Sequence, residues 1–164
     1  SIYNEYMNTL LLKQAEAILD DENTLGALAN ITAFISDQFP TVSWAGFYFL
    51  KDGKLFLGPF QGKVACSILS LDRGVCAFSF NKKETVHVRN VHEFTTHIAC
   101  DSRTNSELVT PIIISDKCIG VLDLDSIEFN NFSNDDEEFF NQLTRLIENR
   151  LASHECVIRH ETII

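Results

Sequence analysis

From Tyr3 to Leu19 the apolar residues Tyr3, Tyr6, Met7, Leu10, Leu11, Ala15, Ile18 and Leu19 recur every three or four positions. That is the period of a helix with one buried face. Asn23-Thr24 offers a cap for a second helix, along which Leu25, Leu28, Ala29, Ile31, Ile35 and Phe39 repeat at the same interval. Phe39-Pro40 ends it, because proline disfavours helical backbone at the residue before it. The pattern then changes. Val42 to Leu50, with Trp44, Phe47, Tyr48 and Phe49, and Leu55 to Phe60 read as strands joined by the turn Lys51-Asp52-Gly53-Lys54, whose Asp-Gly pair suits a tight hairpin. Gly62 to Ile68 crosses back and places Cys66 on a short extended segment. Asp72-Arg73-Gly74 turns into a short helix that carries Cys76, and Thr85 to Val88 is a short strand. Ser106 to Ile114 and Cys118 to Leu124 form a second hairpin through Ser115-Asp116-Lys117. Ser133 and Asp136 have capping-box spacing. Beyond them Phe139, Phe140, Leu143, Leu146, Ile147 and Leu151 make the apolar face of a long last helix. Glu137 and Glu138 near its start and Arg150 near its end suit the helix dipole. Strands in tight hairpins between terminal helices predict an α+β domain, with an antiparallel sheet packed by helices on one side.

A length of 164 residues points to one domain large enough to fold without staples. The expected layout is a single domain over 1–164, with a core of about 24–152, an appended N-terminal helix 3–20 and a C-terminal tail 153–164. No stretch has the apolar length of a membrane span. Ser1 to Glu5 lacks the basic residue and apolar run of a secretory signal, so a cytoplasmic protein is expected. A net charge of −10 disfavours nucleic acid as a partner.

The five cysteines are not a disulfide framework for a cytoplasmic chain, and their spacing is not that of a zinc site. Cys118 sits in a strand pattern and reads as inert. Cys156, near His154 and His160, lacks a nameable fourth metal ligand. Cys66, Cys76 and Cys100 remain. Cys100 lies in the polar loop His97-Ile98-Ala99-Cys100-Asp101, flanked by Ser102, Arg103, Thr104 and Asn105, which implies a solvent-reaching thiol. His97 and Arg103 are candidate cations for its thiolate, and Asp101 opposes them. A loop cysteine of this kind is compatible with an incidental thiol as well as a nucleophile.

Three acids fall where acids are expensive. Glu107 begins an apolar strand, and Asp123 and Asp125 lie two apart in another, hence on one face. A short turn at Ser115-Asp116-Lys117 brings Glu107 opposite positions 123 to 125. Either the three converge, so that at least one keeps its proton near neutral pH, or the strand ends run into water and the acids are hydrated.

Taken together, Trp44-Ala45-Gly46-Phe47-Tyr48, Leu57-Gly58-Pro59-Phe60-Gln61-Gly62-Lys63, Gly74-Val75-Cys76, His97-Ile98-Ala99-Cys100-Asp101, Ser106-Glu107 and Gly120-Val121-Leu122-Asp123-Leu124-Asp125-Ser126 resemble the free methionine-(R)-sulfoxide reductases. These are GAF-domain enzymes, and the resemblance covers about residues 40–145. It implies a six-stranded antiparallel GAF sheet with a small closed pocket, a homodimer, and reduction by thioredoxin with no bound cofactor or metal. By resemblance Cys100 is the catalytic cysteine, and Cys66 and Cys76 are the two other redox cysteines. Glu107, Asp123 and Asp125 are the pocket acids, Asp101 belongs to the substrate-binding loop, and Trp44 and Tyr48 surround the S-methyl end of the substrate. The chain departs from the family at Cys76-Ala77-Phe78, where glycine commonly follows the cysteine. It departs again at Ser67-Ile68-Leu69-Ser70-Leu71, where a polar or basic residue and a proline are common.

The chemistry this implies starts with a protonated pocket acid activating the sulfoxide oxygen. Cys100 attacks sulfur and becomes a sulfenic acid, which Cys66 resolves as a disulfide. Cys76 then exchanges with Cys66 and passes the disulfide to thioredoxin. The remaining carboxylates hold the ammonium of the free amino acid, and backbone N–H groups near Cys100 hold its carboxylate. Two other functions stay open: a non-catalytic GAF module sensing a small ligand, and a thiol switch whose signal is a Cys66–Cys100 disulfide. The switch needs Cα atoms within roughly 7 Å.

Overall fold

The computed structural model describes residues 2–95 and 100–153. His97, one of the two candidate cations, and the Cys156, His154 and His160 group lie outside the described residues. The helix α1 spans Ile2–Leu19 and α2 spans Thr24–Gln38. Asn23 caps α2 as its sequence suggests, accepting the Gly26 N–H at 2.9 Å. The strands β1 (Trp44–Lys51) and β2 (Lys54–Gln61) pair through the expected hairpin, with Lys51 opposite Lys54. Its two central residues have positive φ, 49° at Asp52 and 74° at Gly53, the backbone that an Asp-Gly pair tolerates. The crossing segment yields only a two-residue strand, β3 (Ile68–Leu69), and Cys66 lies just ahead of it. Next come α3 (Val75–Lys82), β4 (Val86–Val88) and a single 3₁₀ turn at Val91–Glu93 that no sequence pattern announced. The chain closes with β5 (Ser106–Ile114), β6 (Lys117–Ser126) and α4 (Asn134–Ser153).

The six strands form one antiparallel sheet in the order β3-β2-β1-β6-β5-β4. The outer hairpins are joined at the centre by β1 against β6, with Trp44 opposite Asp125 and Gly46 opposite Asp123. Strand alternation sorts the side chains between two faces. Phe47 and Phe49 of β1, Leu108 and Ile112 of β5, and Leu122 and Leu124 of β6 meet Leu28, Ile31 and Ile35 of α2 and Phe139, Phe140, Leu143 and Ile147 of α4. The expected packing of the terminal helices on one face is what the fold shows, and α1 adds Ala15 and Leu19 to this core. Each fully buried leucine, isoleucine or phenylalanine among them contributes about 1.5–3 kcal/mol. The opposite face carries Trp44, Tyr48, Leu55, Val109 and Val121, covered by Leu69, Val75 and Cys76. Both faces of β1 are therefore buried, which is why it reads as a continuous apolar run rather than an alternating one.

The start of α4 is a reciprocal capping box. Ser133 N–H donates to Asp136 Oδ2 at 2.8 Å, and Asp136 N–H donates to Ser133 Oγ at 3.1 Å. Arg150 does more than complement the helix dipole. It is buried, and its guanidinium donates to the Asp21 carbonyl and to Thr24 Oγ1, tying the end of α4 to the α1–α2 turn. No helix among the described residues is long and apolar enough to cross a membrane.

Candidate active site

The sheet face away from the terminal helices holds a pocket with a free volume of about 50 Å³. Its floor is β5 and β6. Glu107 is the direct cross-strand partner of Asp125, and Asp123 lies two residues further along the same face. Of the two arrangements the sequence left open, convergence is the one that forms. Glu107 and Asp123 are both only 6% exposed, too dry for hydrated strand ends, and Asp125 is half-buried.

Over this floor, α3 lays Cys76, whose Sγ is 4.0 Å from Glu107 Oε1. Burial, and then the charges of Asp123 and Glu107, push the Cys76 thiol well above its usual range. Burial also drives Glu107 well above the ordinary carboxylate value, reinforced by Asp123 and Asp125. Asp125 is raised strongly by the same cause, with Asp123 and Asp101 adding to it. Asp123 is raised by burial too, but hydrogen bonds to it from Glu107 and Cys76 restrain the shift. The cluster is thus a set of acids all pushed toward their protonated forms by burial and by one another, with Glu107 and Asp125 raised strongly and Asp123 held back by its hydrogen bonds. Asp123 Oδ1 is buried and takes no hydrogen bond.

The aromatic wall comes from β1. Trp44 stacks between Tyr48 and Phe60, with ring centroids 6.0 and 5.3 Å away. Both expected substrate aromatics also hold the crossing loop: Trp44 Nε1 donates to the Lys63 carbonyl at 3.1 Å, and the Tyr48 hydroxyl donates to the Cys66 carbonyl at 2.8 Å. Burial, with Asp123 next, pushes the Tyr48 hydroxyl up, so it stays a donor. Gly46 makes room for the wall. A Cβ there would lie 2.4 Å from Phe60 Cβ and 2.5 Å from Trp44 Cη2.

At the mouth, Cys66 and Cys100 are joined in a disulfide, 34 residues apart in sequence, with Cα atoms 5.6 Å apart. Both are half-buried, so Cys100 is less exposed than its polar neighbours imply. Arg103 is engaged elsewhere. Its Nε and Nη2 donate to Asp101 Oδ1 and Oδ2 at 3.2 and 2.8 Å, and its N–H donates to Oδ1 at 2.9 Å. The side-chain hydrogen bonds from Arg103, more than its charge, lower the Asp101 carboxyl to about 2. Asp101 is therefore a fixed, already paired anion at the rim. Cys118 is buried and donates to the Gly120 carbonyl at 3.3 Å, a structural thiol.

The pocket collects Trp44, Tyr48, Cys76, Cys100, Asp101, Glu107, Asp123 and Asp125, with Cys66 bonded to Cys100 beside them. It also includes residues the sequence did not flag as site residues, notably Arg73 and the buried Thr104. Arg73 directly precedes the Gly74-Val75-Cys76 segment, a weak signal in hindsight. Nothing in the periodicity marks Thr104.

A two-faced antiparallel sheet with terminal helices on one side and a small pocket, open at one end, on the other defines a GAF domain, and the GAF domain family model matches residues 17–151. The chain is 43% identical over 129 residues to the free methionine-R-sulfoxide reductase of Escherichia coli, covering 79% of this chain and 78% of that protein. It is 39% identical over 152 residues to the Saccharomyces cerevisiae protein of the same name, covering 87% and 84%. The crystal structure of free methionine-R-sulfoxide reductase from Neisseria meningitidis, in complex with its substrate, superposes with a TM-score of 0.86 at 36% identity, covering 92% of each chain. The chain belongs to the free methionine-R-sulfoxide reductase family of GAF domains.

Proposed function

We propose that this protein reduces free methionine-R-sulfoxide to methionine with Cys100 as the nucleophile. The observation that carries the reading is the Cys66–Cys100 disulfide at the mouth of a pocket floored by Glu107, Asp123 and Asp125. Glu107 is the acid. Its elevated pKa keeps a proton available at neutral pH to activate the sulfoxide oxygen. The Cys100 thiolate adds to the sulfoxide sulfur; the protonated oxygen then passes from that sulfur to Cys100 Sγ as the S–S bond breaks, so methionine leaves with the electron pair on its sulfur and Cys100 is left as a sulfenic acid. The Cys66 thiol displaces it as water, forming the disulfide. A dithiol of the thioredoxin class returns both cysteines to thiols by exchange and leaves oxidised. Where Cys76 takes part, its thiolate attacks Cys66 of the Cys66–Cys100 disulfide, which frees the Cys100 thiol and leaves a Cys66–Cys76 disulfide for that dithiol to reduce.

Asp123 and Asp125 hold the substrate ammonium, Asp101 orders the rim loop, and Trp44 and Tyr48 pack the S-methyl group. Such a cup requires both free termini of the amino acid. The same reading places the protein in the cytoplasm, as one domain over 1–164 and as a homodimer, with the exposed α1 side chains Tyr6 and Leu10 available to the second copy.

A Cα separation of 5.6 Å also suits a thiol switch. NADPH oxidation with thioredoxin and thioredoxin reductase separates the two. Free methionine-R-sulfoxide should turn over, while its S epimer and its N-acetylated R form should not. Silence on all three by folded, reduced protein gives the switch or a ligand sensor precedence.

A further inference from the structure

Cys76 Sγ and one carboxylate oxygen each from Glu107 and Asp123 all lie within 4.8 Å of one another. The three residues come from α3, β5 and β6 and are 5%, 6% and 6% exposed. Three acidic groups at this spacing share too few hydrogen-bond donors. One consequence is visible in Asp123, which lines the pocket and whose buried Oδ1 has no partner. Buried polar atoms are normally satisfied, and one that is not calls for a ligand. A cation would replace the protons these groups now need.

The donor set indicates which cation. A thiolate with two carboxylates suits zinc(II) and cobalt(II), whereas magnesium and calcium take oxygen ligands alone. Tetrahedral zinc, with sulfur at about 2.3 Å and oxygen at about 2.0 Å, needs ligand atoms roughly 3.5 Å apart. Cys76 Sγ and Glu107 Oε1 are already 4.0 Å apart, and binding would have to draw all three ligand atoms closer than the 4.8 Å that now bounds them. The free volume of about 50 Å³ leaves room for a coordinated water as the fourth ligand.

We propose that the pocket binds one thiophilic divalent cation of the zinc class through Cys76, Glu107 and Asp123, and that this ion and methionine sulfoxide exclude one another. The binding stands on the geometry alone; the exclusion rests on the proposed reaction, because the ion takes up Glu107 and Asp123. Bound metal is thus a reversible inhibitor, not a cofactor. It holds the site closed and shields Cys76 from oxidation.

The test uses the whole protein in its Cys66–Cys100 disulfide form, without added thiols, titrated with cobalt(II). One ion per chain should bind, with a near-ultraviolet thiolate-to-cobalt band that one equivalent of zinc(II) bleaches. The band should vanish in Cys76→Ser, weaken at least tenfold in apparent affinity in Asp123→Asn, and persist in Cys118→Ser. If Cys76→Ser loses its far-ultraviolet dichroism, labelling of wild-type thiols replaces it: zinc(II) should slow alkylation of Cys76 and leave Cys118 unchanged. No thiolate band, or one that survives Cys76→Ser, overturns the site. Free methionine-R-sulfoxide should bleach the cobalt band, and free alanine, with the same chelating amino and carboxylate groups, should not. A band indifferent to the sulfoxide overturns the exclusion, while the reductase reading stands or falls separately on turnover.

Discussion

Glu107 of β5 and Asp125 of β6 are cross-strand partners, both turned to the pocket face of the sheet. Their neighbours Leu108 and Leu124 are also partners, turned into the helical core. A slip of one residue would send the acids into that core and the leucines into the pocket. The apolar requirement of the helix side thus holds the carboxylates together on the other, and burial, reinforced by their closeness, raises the pKa of both.

If Glu107 is the acid that activates the sulfoxide, Glu107→Gln preserves its shape and removes its reactivity. Turnover should fall about 10²–10⁴-fold, mostly in kcat. Steady-state kinetics checks this, and a change confined to KM would reassign Glu107 to substrate binding.

The cysteine roles separate in a single-turnover experiment without reductant. Cys100→Ser should form no methionine. Cys66→Ser and Cys76→Ser should each still form about one methionine per chain, because the oxygen transfer needs only Cys100. Chromatographic counting of methionine decides it; a burst from Cys100→Ser would move the nucleophile elsewhere.

Gly46→Ala drives a methyl group against Phe60 Cβ and the Trp44 ring. Overpacking of this kind costs about 1–3 kcal/mol. Urea denaturation should show that loss. Because Trp44 must shift, KM for the sulfoxide should rise as well.

His87 of β4 packs edge-on against Phe132, and its buried Nε2 has no hydrogen-bond partner. Burial lowers its pKa below the ordinary 6.5, aided by Arg89 and opposed by Glu137 and Asp136. The unfolded chain therefore binds this proton more readily than the folded one, and stability falls as pH drops below about 6.5. His87→Gln should remove that contribution. Between pH 7 and 5 the wild type should lose more stability than the variant in parallel denaturation curves, and equal slopes would show that His87 titrates alike in the folded and unfolded chain.

Much of the fold was legible because its signals are local. Asn23 caps α2, Ser133 and Asp136 build the capping box, and Asp52-Gly53 turns the first hairpin as their side chains and backbone preferences require. The convergence of Glu107 with Asp125 was within reach for the same reason, since a short turn leaves little freedom in register. The 3₁₀ turn at Val91–Glu93 and the shortness of β3 were not, because neither has a periodic pattern to reveal it. Arg103 read as a cation for Cys100, but its guanidinium pairs with Asp101 two residues away.

By itself the sequence determined the helices, the hairpins and the two faces of the sheet, since each depends on interactions within a few residues or on simple alternation. It also carried the motifs that mark the family. Only the tertiary structure decided that Cys66 meets Cys100, that Tyr48 holds the Cys66 carbonyl, and that Cys76 lies over the carboxylates. It also decided how strongly burial pushes the three acids toward their protonated forms. That property has no local origin, because desolvation sums the burial contributed by α3, β1, β5 and β6 at once.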